Sequence, residues 1–355
     1  MRLMTAVSLF QSIEQQRKDL GSALTVVGHH YQAEEVIRHV DIRGDSLELS
    51  RKVANVGSEH IMFCGVYFMA ESAALLAREG QQVHLPEPSA ECSMALMSPP
   101  DYVEGVLRAL MRGGRKVIPL TYVNSTLAVK AVVGRFNGSV CTSANARTML
   151  EWALNEGDAV LFLPDENLGM NTADLLGIPE SERHHVDIRR KGEAVDMTKA
   201  DKARVMFWPG FCSIHTYFTV AQVQAMRKAH PEAKIVVHPE CTPEVVRACD
   251  SAGSTSYLIR YAAELPDGET LVIGTEINLV RRLAEQHKGR INILPLIESI
   301  CPHMAQTTEE SLAAALDALQ NSRETGQDSP FLVRIPEDLK APAKEALERM
   351  LEVCS

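Results

Sequence analysis

The feature that most constrains how this 355-residue chain can fold is an internal repeat. At a constant shift of 209 and without a gap, residues 29–92 lie over residues 238–301 with fourteen identities in 64 positions, where average composition would leave roughly four. The identities pair His29 with His238, Asp41 with Asp250, Gly44 with Gly253, Gly65 with Gly274, Leu85-Pro86 with Leu294-Pro295, and Cys92 with Cys301. A middle copy fits between them once insertions are allowed. Its first strand, at 116–121, leads into Tyr122 and Asn124, then Ser143, and finally Cys212. Length alone allows two or three domains at roughly 100–200 residues each. The repeat selects three of one kind, with expected spans of 1–111 including an N-terminal helix, 112–216, and 217–355 including a C-terminal helix.

Short β-branched or apolar runs alternate with longer helical patterns, the signature of an α/β chain with parallel sheets. Strands are expected at 23–28, 61–66, 82–86, 116–121, 139–142, 159–163, 204–208, 234–238, 270–274 and 291–295. Helices are expected over 46–56, 147–154, 220–229 and 279–287, where apolar residues recur three and four apart. Each copy runs in one order. A first strand ends in a polar cluster (Gly28-His29-His30-Tyr31, Thr121-Tyr122-Val123-Asn124, His238-Pro239-Glu240), a hydroxyl precedes a helix (Ser46, Ser143, Thr255), and a last strand delivers a cysteine. Polar residues at the carboxyl ends of parallel strands are where open α/β sheets bind ligands.

Lys+Arg 36 against Asp+Glu 46 gives a net charge of −10, which argues against nucleic acid and anionic membranes as partners. The N-terminal stretch reads as an amphipathic helix and not a signal peptide, and no apolar run reaches the 18 or more residues of a membrane span. A cytoplasmic location is expected. There the 8 cysteines are ligands, catalysts or core residues more often than disulfides. No pair has Cys-x-x-Cys spacing, so a sequence-local metal knuckle is excluded.

Three repeats commonly pack around a pseudo-threefold axis, which would bring Cys92, Cys212 and Cys301 together. Three thiolates suit an iron-sulfur cluster whose fourth iron is open, a Lewis acid able to bind a hydroxyl or carboxylate. Cys64, Cys249 and Cys354 have no cysteine at the repeat-equivalent place and read as core residues, while Cys141 and Cys241 lie beside the proposed site. Ser46, Ser143 and Thr255 stand where helix N-termini favour anions, although each could be an ordinary N-cap. His29, Tyr31, Tyr122, Asn124, His238 and Glu240 add acids, bases and hydrogen-bond donors at the same strand ends.

The ordered motifs resemble one family. They are Gly28-His29-His30-Tyr31, Gly44-Asp45-Ser46-Leu47-Glu48, Ala90-Glu91-Cys92-Ser93, Tyr122-Val123-Asn124-Ser125, Cys141-Thr142-Ser143-Ala144-Asn145, Pro164-Asp165-Glu166-Asn167-Leu168-Gly169, Trp208-Pro209-Gly210-Phe211-Cys212, His238-Pro239-Glu240-Cys241, Gly253-Ser254-Thr255-Ser256, Gly274-Thr275-Glu276 and Cys301-Pro302. Together they resemble the quinolinate synthases, iron-sulfur enzymes of bacterial NAD biosynthesis. The resemblance implies three similar αβα-sandwich domains with short parallel sheets around a pseudo-threefold axis. It also implies one 4Fe-4S cluster per chain on Cys92, Cys212 and Cys301, with the fourth iron taking substrate.

The implied reaction condenses dihydroxyacetone phosphate with iminosuccinate to quinolinate, with loss of phosphate and two waters. By motif position, His29, Ser46, Tyr122, Asn124, Ser143, His238 and Thr255 would bind the anionic groups, Glu240 and Tyr31 would handle protons, and His215 would line the pocket. The unstable imine leaves room for hand-over by the enzyme that supplies it. The rivals are another 4Fe-4S hydro-lyase of hydroxy dicarboxylates and a cluster-based redox sensor; the acidic charge and the lack of a DNA-reading motif count against the sensor. Gly134–Gly138 resembles an insertion, and 179–203, longer than the family pattern, reads as a solvated surface loop.

Overall fold

The computed structural model describes residues 6–53 and 55–355. Among them the strands form three parallel sheets, as an α/β chain with helices on both sheet faces requires. The first holds β1 (Leu24–His29), β2 (Ile42–Gly44), β3 (His60–Cys64) and β4 (Gln82–His84). The second holds β5 (Val117–Tyr122), β6 (Ser139–Cys141), β7 (Ala159–Leu163), β8 (Arg183–His185) and β9 (Val205–Phe207). The third holds β10 (Lys234–Val237), β11 (Ser251–Ala252), β12 (Thr270–Gly274) and β13 (Asn292–Pro295). All ten expected strands are present. The three additional ones, β2, β8 and β11, span only two or three residues, too few to show an alternating pattern.

The orders β2-β1-β3-β4, β6-β5-β7-β9-β8 and β11-β10-β12-β13 are one topology, extended in the second sheet by β8 at its edge. The repeat extends to individual hydrogen bonds. Asp41 Oδ2 accepts from Val26 N at 2.8 Å, and its repeat partner Asp250 accepts from Ile235 N at 2.7 Å. Each aspartate also donates its own N–H back to the same strand residue, at 2.8 Å in both copies. A guanidinium meets each of them, Arg17 at 2.5 Å and Arg227 at 3.2 Å.

The chain forms two compact units: residues up to Cys92 with Ile300–Ile335, and Ser93–Ser299 with Pro336–Ser355. In the first, helices Ala6–Leu20 and Glu309–Thr325 bury Leu9, Ile13, Leu20, Leu312, Leu316 and Leu319 against Leu24, Val26 and Met62 of the sheet. Each such buried side chain contributes roughly 1.5–3 kcal/mol. The edge of β4 is covered by the segment at 331–333, where Leu85 N donates to Phe331 O and Val333 N to Val83 O, both at 2.9 Å. An uncovered parallel edge would invite further pairing. The expected helix over 46–56 runs Ser46–Val53, with position 54 outside the described residues.

The second unit holds the second and third sheets. Helix Pro100–Leu110, on the first copy's side of the border expected at 112, packs in this unit, where Lys191 Nζ meets Asp101 at 2.6 Å. The chain beyond Ile335 does not extend the third copy. Helix Glu337–Val353 packs on helix Leu127–Arg135 of the second. Gly134 permits this, since a Cβ there would stand 1.8 Å from Pro342 O. The glycine-flanked stretch at 134–138 is the end of helix Leu127–Arg135 and the turn into β6. The segment at 179–203 supplies β8 as well as surface turns.

His84 and His60 lie on neighbouring strands of the first sheet, their rings 5.5 Å apart, and both are buried. Burial, with His60 beside it, lowers His84 to about 4, and burial lowers His60 as well. The unfolded chain takes up these protons as pH falls below about 6.5, and the folded chain resists until about 4. Stability should therefore decline from pH 6.5 to 4 by roughly 2–3 kcal/mol, and His84→Leu should flatten the decline, as read from urea midpoints across that range.

Candidate active site

In the second unit, the third sheet reverses its winding between β10 and β12, the place where open α/β sheets form a ligand crevice. His238 follows β10 directly and its N–H donates to Gly274 O at 3.1 Å, at the end of β12. Glu240 lies two residues on and is buried. Its Oε2 meets His215 Nδ1 at 2.5 Å and His238 Nδ1 at 3.3 Å. The two imidazoles stack at 4.3 Å and 20°, and His215 Nε2 reaches Thr275 Oγ1 at 3.1 Å. Thr275 follows β12, so the pair of histidines bridges the crevice.

Cys212 and His215 come from the segment after β9. Cys212 O accepts from Thr216 N at 3.0 Å and from Thr216 Oγ1 at 2.8 Å, closing one turn that sets both residues on one side. Cys212, His215 and Glu240 each bring one ligand-capable atom within 4.8 Å of the others. A thiol, an imidazole and a carboxylate so placed can hold a metal ion.

Helix Glu166–Leu175 braces both halves of this cluster. Asp165, its N-cap, accepts from Leu168 N at 2.8 Å through Oδ1 and from Cys212 N at 3.1 Å through Oδ2. From the same helix, Asn171 Nδ2 donates to Pro239 O and Cys241 O, both at 2.8 Å, and so grips the chain on either side of Glu240. A Cβ at Gly169 would lie 2.8 Å from the rings of Phe162 and Phe207, so glycine allows the helix to sit close on the sheet. Asp165, Asn171 and Thr275 had no assigned role in the sequence. Asp165 and Thr275 lie within motifs named above, and the Asp-x-x-Leu pattern also marks a helix start.

Burial opposes charge on Glu240, but the imidazoles of His238 and His215 outweigh it and hold the carboxyl well below the usual range. His215 is pushed down by burial and by His238, so it is disfavoured as the cation of the group. Asp165 is raised well above the usual carboxylate range by burial and then by the charge of Glu240.

At the end of β5, Tyr122 is buried, and its carbonyl accepts from Ser125 Oγ at 2.9 Å. The buried Lys130 ammonium bonds Ser125 O. Asn124 Oδ1 is buried and meets no hydrogen-bond donor of the chain, and the same holds for Glu240 Oε1. Such orphaned acceptors call for a ligand or water. Ser143 lies in a turn pinned by Thr142 N to Asn145 Oδ1 at 2.7 Å. Thr255 opens helix Thr255–Glu264, whose N-cap is Ser254, accepting from Tyr257 N.

The first unit repeats the pattern. His29 ends β1, and its Nδ1 accepts from Tyr31 N at 3.1 Å. In its repeat partner Glu240 N lies 3.4 Å from His238 Nδ1, and there Glu240 Oε2, at 3.3 Å, competes for the same nitrogen. In neutral His29 the ring proton therefore sits on Nε2, which is a donor. The rings of His29 and Tyr31 meet edge to face at 4.7 Å. Ser46 opens its helix while Asp45 caps it, accepting from Glu48 N at 2.9 Å. At 46 and at 255 alike, then, capping falls to the preceding residue, and the simple N-cap alternative does not apply to either hydroxyl.

Burial pushes Cys64 and Cys249 up to about 12, and Cys141 and Cys241 well above the usual thiol range. These four are held as thiols, whereas metal ligation needs thiolates. Cys354 accepts from Asn145 Nδ2 at 3.3 Å at the end of its helix. Cys92, Cys212 and Cys301 are each half-buried.

The sequence model of the family described as Quinolinate synthetase A protein matches residues 11–352. The chain belongs to this family. Proteins named quinolinate synthase are similar to it along nearly all its length. That of Corynebacterium glutamicum is 41% identical over 350 residues, covering 97% of this chain and 87% of the relative. That of Geobacillus kaustophilus is 41% identical over 342 residues, covering 95% and 91%. That of Acidobacterium capsulatum is 40% identical over 352 residues, covering 98% and 93%. The chain is thus an enzyme of the quinolinate synthetase A family, and no helix among its described residues is long and apolar enough to cross a membrane.

Replacing Asn171 by Leu keeps the volume but strips two carbonyls beside Glu240 of their donor. Urea unfolding should show a loss of roughly 2–4 kcal/mol.

Proposed function

We propose that this enzyme condenses dihydroxyacetone phosphate with iminosuccinate to form quinolinate, phosphate and two waters, as a step toward NAD in the cytoplasm. The observation that carries this reading is the Cys212–His215–Glu240 constellation, where a half-buried, metal-capable thiol adjoins a buried acid–base pair. A 4Fe-4S cluster would be held by Cys92, Cys212 and Cys301. The half-burial of all three fits that set, whereas Cys64, Cys141 and Cys241 are enclosed in the core. When bound, the cluster supplies an open iron acting as a Lewis acid on a substrate hydroxyl or carboxylate.

The chain's own residues have separable tasks. His29 offers Nε2–H to anionic oxygen, and Ser46, Ser143 and Thr255 stand at or before helix starts, where backbone dipoles favour phosphate and carboxylate. Tyr122 and Asn124 add contacts from the second sheet, the buried Asn124 Oδ1 suiting a substrate N–H or O–H. Glu240 stays ionised and steadies the histidines beside it, so that His215 can accept a proton from substrate carbon and return it to a departing hydroxyl. His238 would orient the carboxylate from its other side, and Tyr31, packed on His29, would donate a proton. Burial of the crevice keeps water from the unstable imine.

An anaerobic assay supplying both substrates should yield quinolinate. A requirement for no triose phosphate would instead favour a hydro-lyase. Purified anaerobically, the chain should carry about four irons and four sulfides. These should be lost in Cys92→Ala, Cys212→Ala or Cys301→Ala and kept in Cys64→Ala. Retention of a full cluster by all three variants would overturn the ligand assignment. Glu240→Gln should keep the cluster spectrum and slow turnover by roughly 10²–10⁴-fold; unchanged turnover would show that proton transfer does not depend on the His215–Glu240 pair and would move that role to Tyr31.

A further inference from the structure

Cys212, His215 and Glu240 make a donor set quite different from three cysteines. One thiolate, one imidazole and one carboxylate are borderline in softness and match a zinc site with an open position. The set is already braced from outside, as strong sites are: Thr275 Oγ1 meets the second nitrogen of His215 at 3.1 Å, Asp165 holds the backbone N–H of Cys212, and Asn171 grips the chain on both sides of Glu240. Donors around a tetrahedral zinc stand roughly 3–4 Å apart, given Zn–S of about 2.3 Å and Zn–N and Zn–O of about 2.0 Å. The spread of 4.8 Å here needs only a small contraction. The contact of 2.5 Å between His215 Nδ1 and Glu240 Oε2 must open, and Glu240 Oε1, buried without a donor, is the oxygen available to turn onto the metal.

We infer that the cluster-free chain binds one Zn²⁺ through Cys212, His215 and Glu240, with a water completing the tetrahedron. Binding releases the thiol proton, while the single ring proton of neutral His215 passes from Nδ1 to Nε2, where it faces Thr275 Oγ1. Among divalent ions available to such a site, zinc outranks iron in affinity. Zinc would thus occupy one proposed cluster ligand together with the acid–base pair, and so trap the chain in an inactive form. The zinc site stands on the geometry alone; only its effect on cluster assembly rests on the proposed role of Cys212.

The test uses the full chain, stripped anaerobically of iron and titrated with zinc sulfate. Bound metal is counted by mass spectrometry, and Co²⁺ serves as a spectroscopic probe of thiolate ligation. We expect one zinc per chain and a cobalt spectrum of a single thiolate ligand. Affinity should fall 100-fold or more in His215→Ala and in Glu240→Gln, roughly tenfold in Thr275→Val, and not at all in Cys92→Ser or Cys301→Ser. Circular dichroism checks that each variant is folded. Absence of stoichiometric zinc, or binding lost in Cys92→Ser but kept in His215→Ala, overturns the inference, the second result by placing the metal on the cysteines. With zinc bound as expected and held in excess, iron incorporation should fail. If a full cluster forms beside the zinc, the zinc site stands and the assignment of Cys212 to the cluster falls.

Discussion

The ionised carboxylate of Glu240, buried between two imidazoles, is the constraint around which the second unit is arranged. An unpaired charge at that depth would cost several kcal/mol, and here His215 and His238 offset it from two sides at 2.5 and 3.3 Å. The pairing works only if the turn at 212–216 and the loop at 238–241 are held in register. A single helix does this, through Asp165 to Cys212 and through Asn171 to the carbonyls flanking Glu240. Position of the metal-capable thiol and charge of the carboxylate are thereby set by the same element.

Desolvation does the complementary work on the cysteines. Among eight chemically identical side chains, burial raises Cys64, Cys141 and Cys241 in the core and the half-buried Cys249 above the usual thiol range. Cys241 shows how local the effect is, since it adjoins Glu240 in sequence yet is buried and inert, with the neighbouring charge raising it further.

The repeat was legible because its matches are bonds as well as letters. Asp41 and Asp250 tie the same strand position in two sheets, and in His29 and His238 Nδ1 faces the backbone N–H two residues on. The short strands β2 and β11 escaped pattern reading, but they pair with β1 and β10 at positions shifted by the same 209 residues. The second copy was harder to read because β8 is inserted at its edge and helix Glu337–Val353 is added from the far end of the chain.

By itself the sequence determined the α/β class, the three parallel sheets, and the polar residues at the ends of their first strands. Those follow from local periodicity and from a unit copied along the chain, which neighbouring residues encode. Only the tertiary structure decided that Glu240 meets His215, that Asp165 meets the backbone of Cys212, and that Gly134 receives a helix from beyond residue 336. These contacts join segments tens to hundreds of residues apart. They depend on how loops close and which faces pack, quantities that no local pattern carries. The charge of Glu240 and the inertness of Cys241 exist only once that closure has removed water.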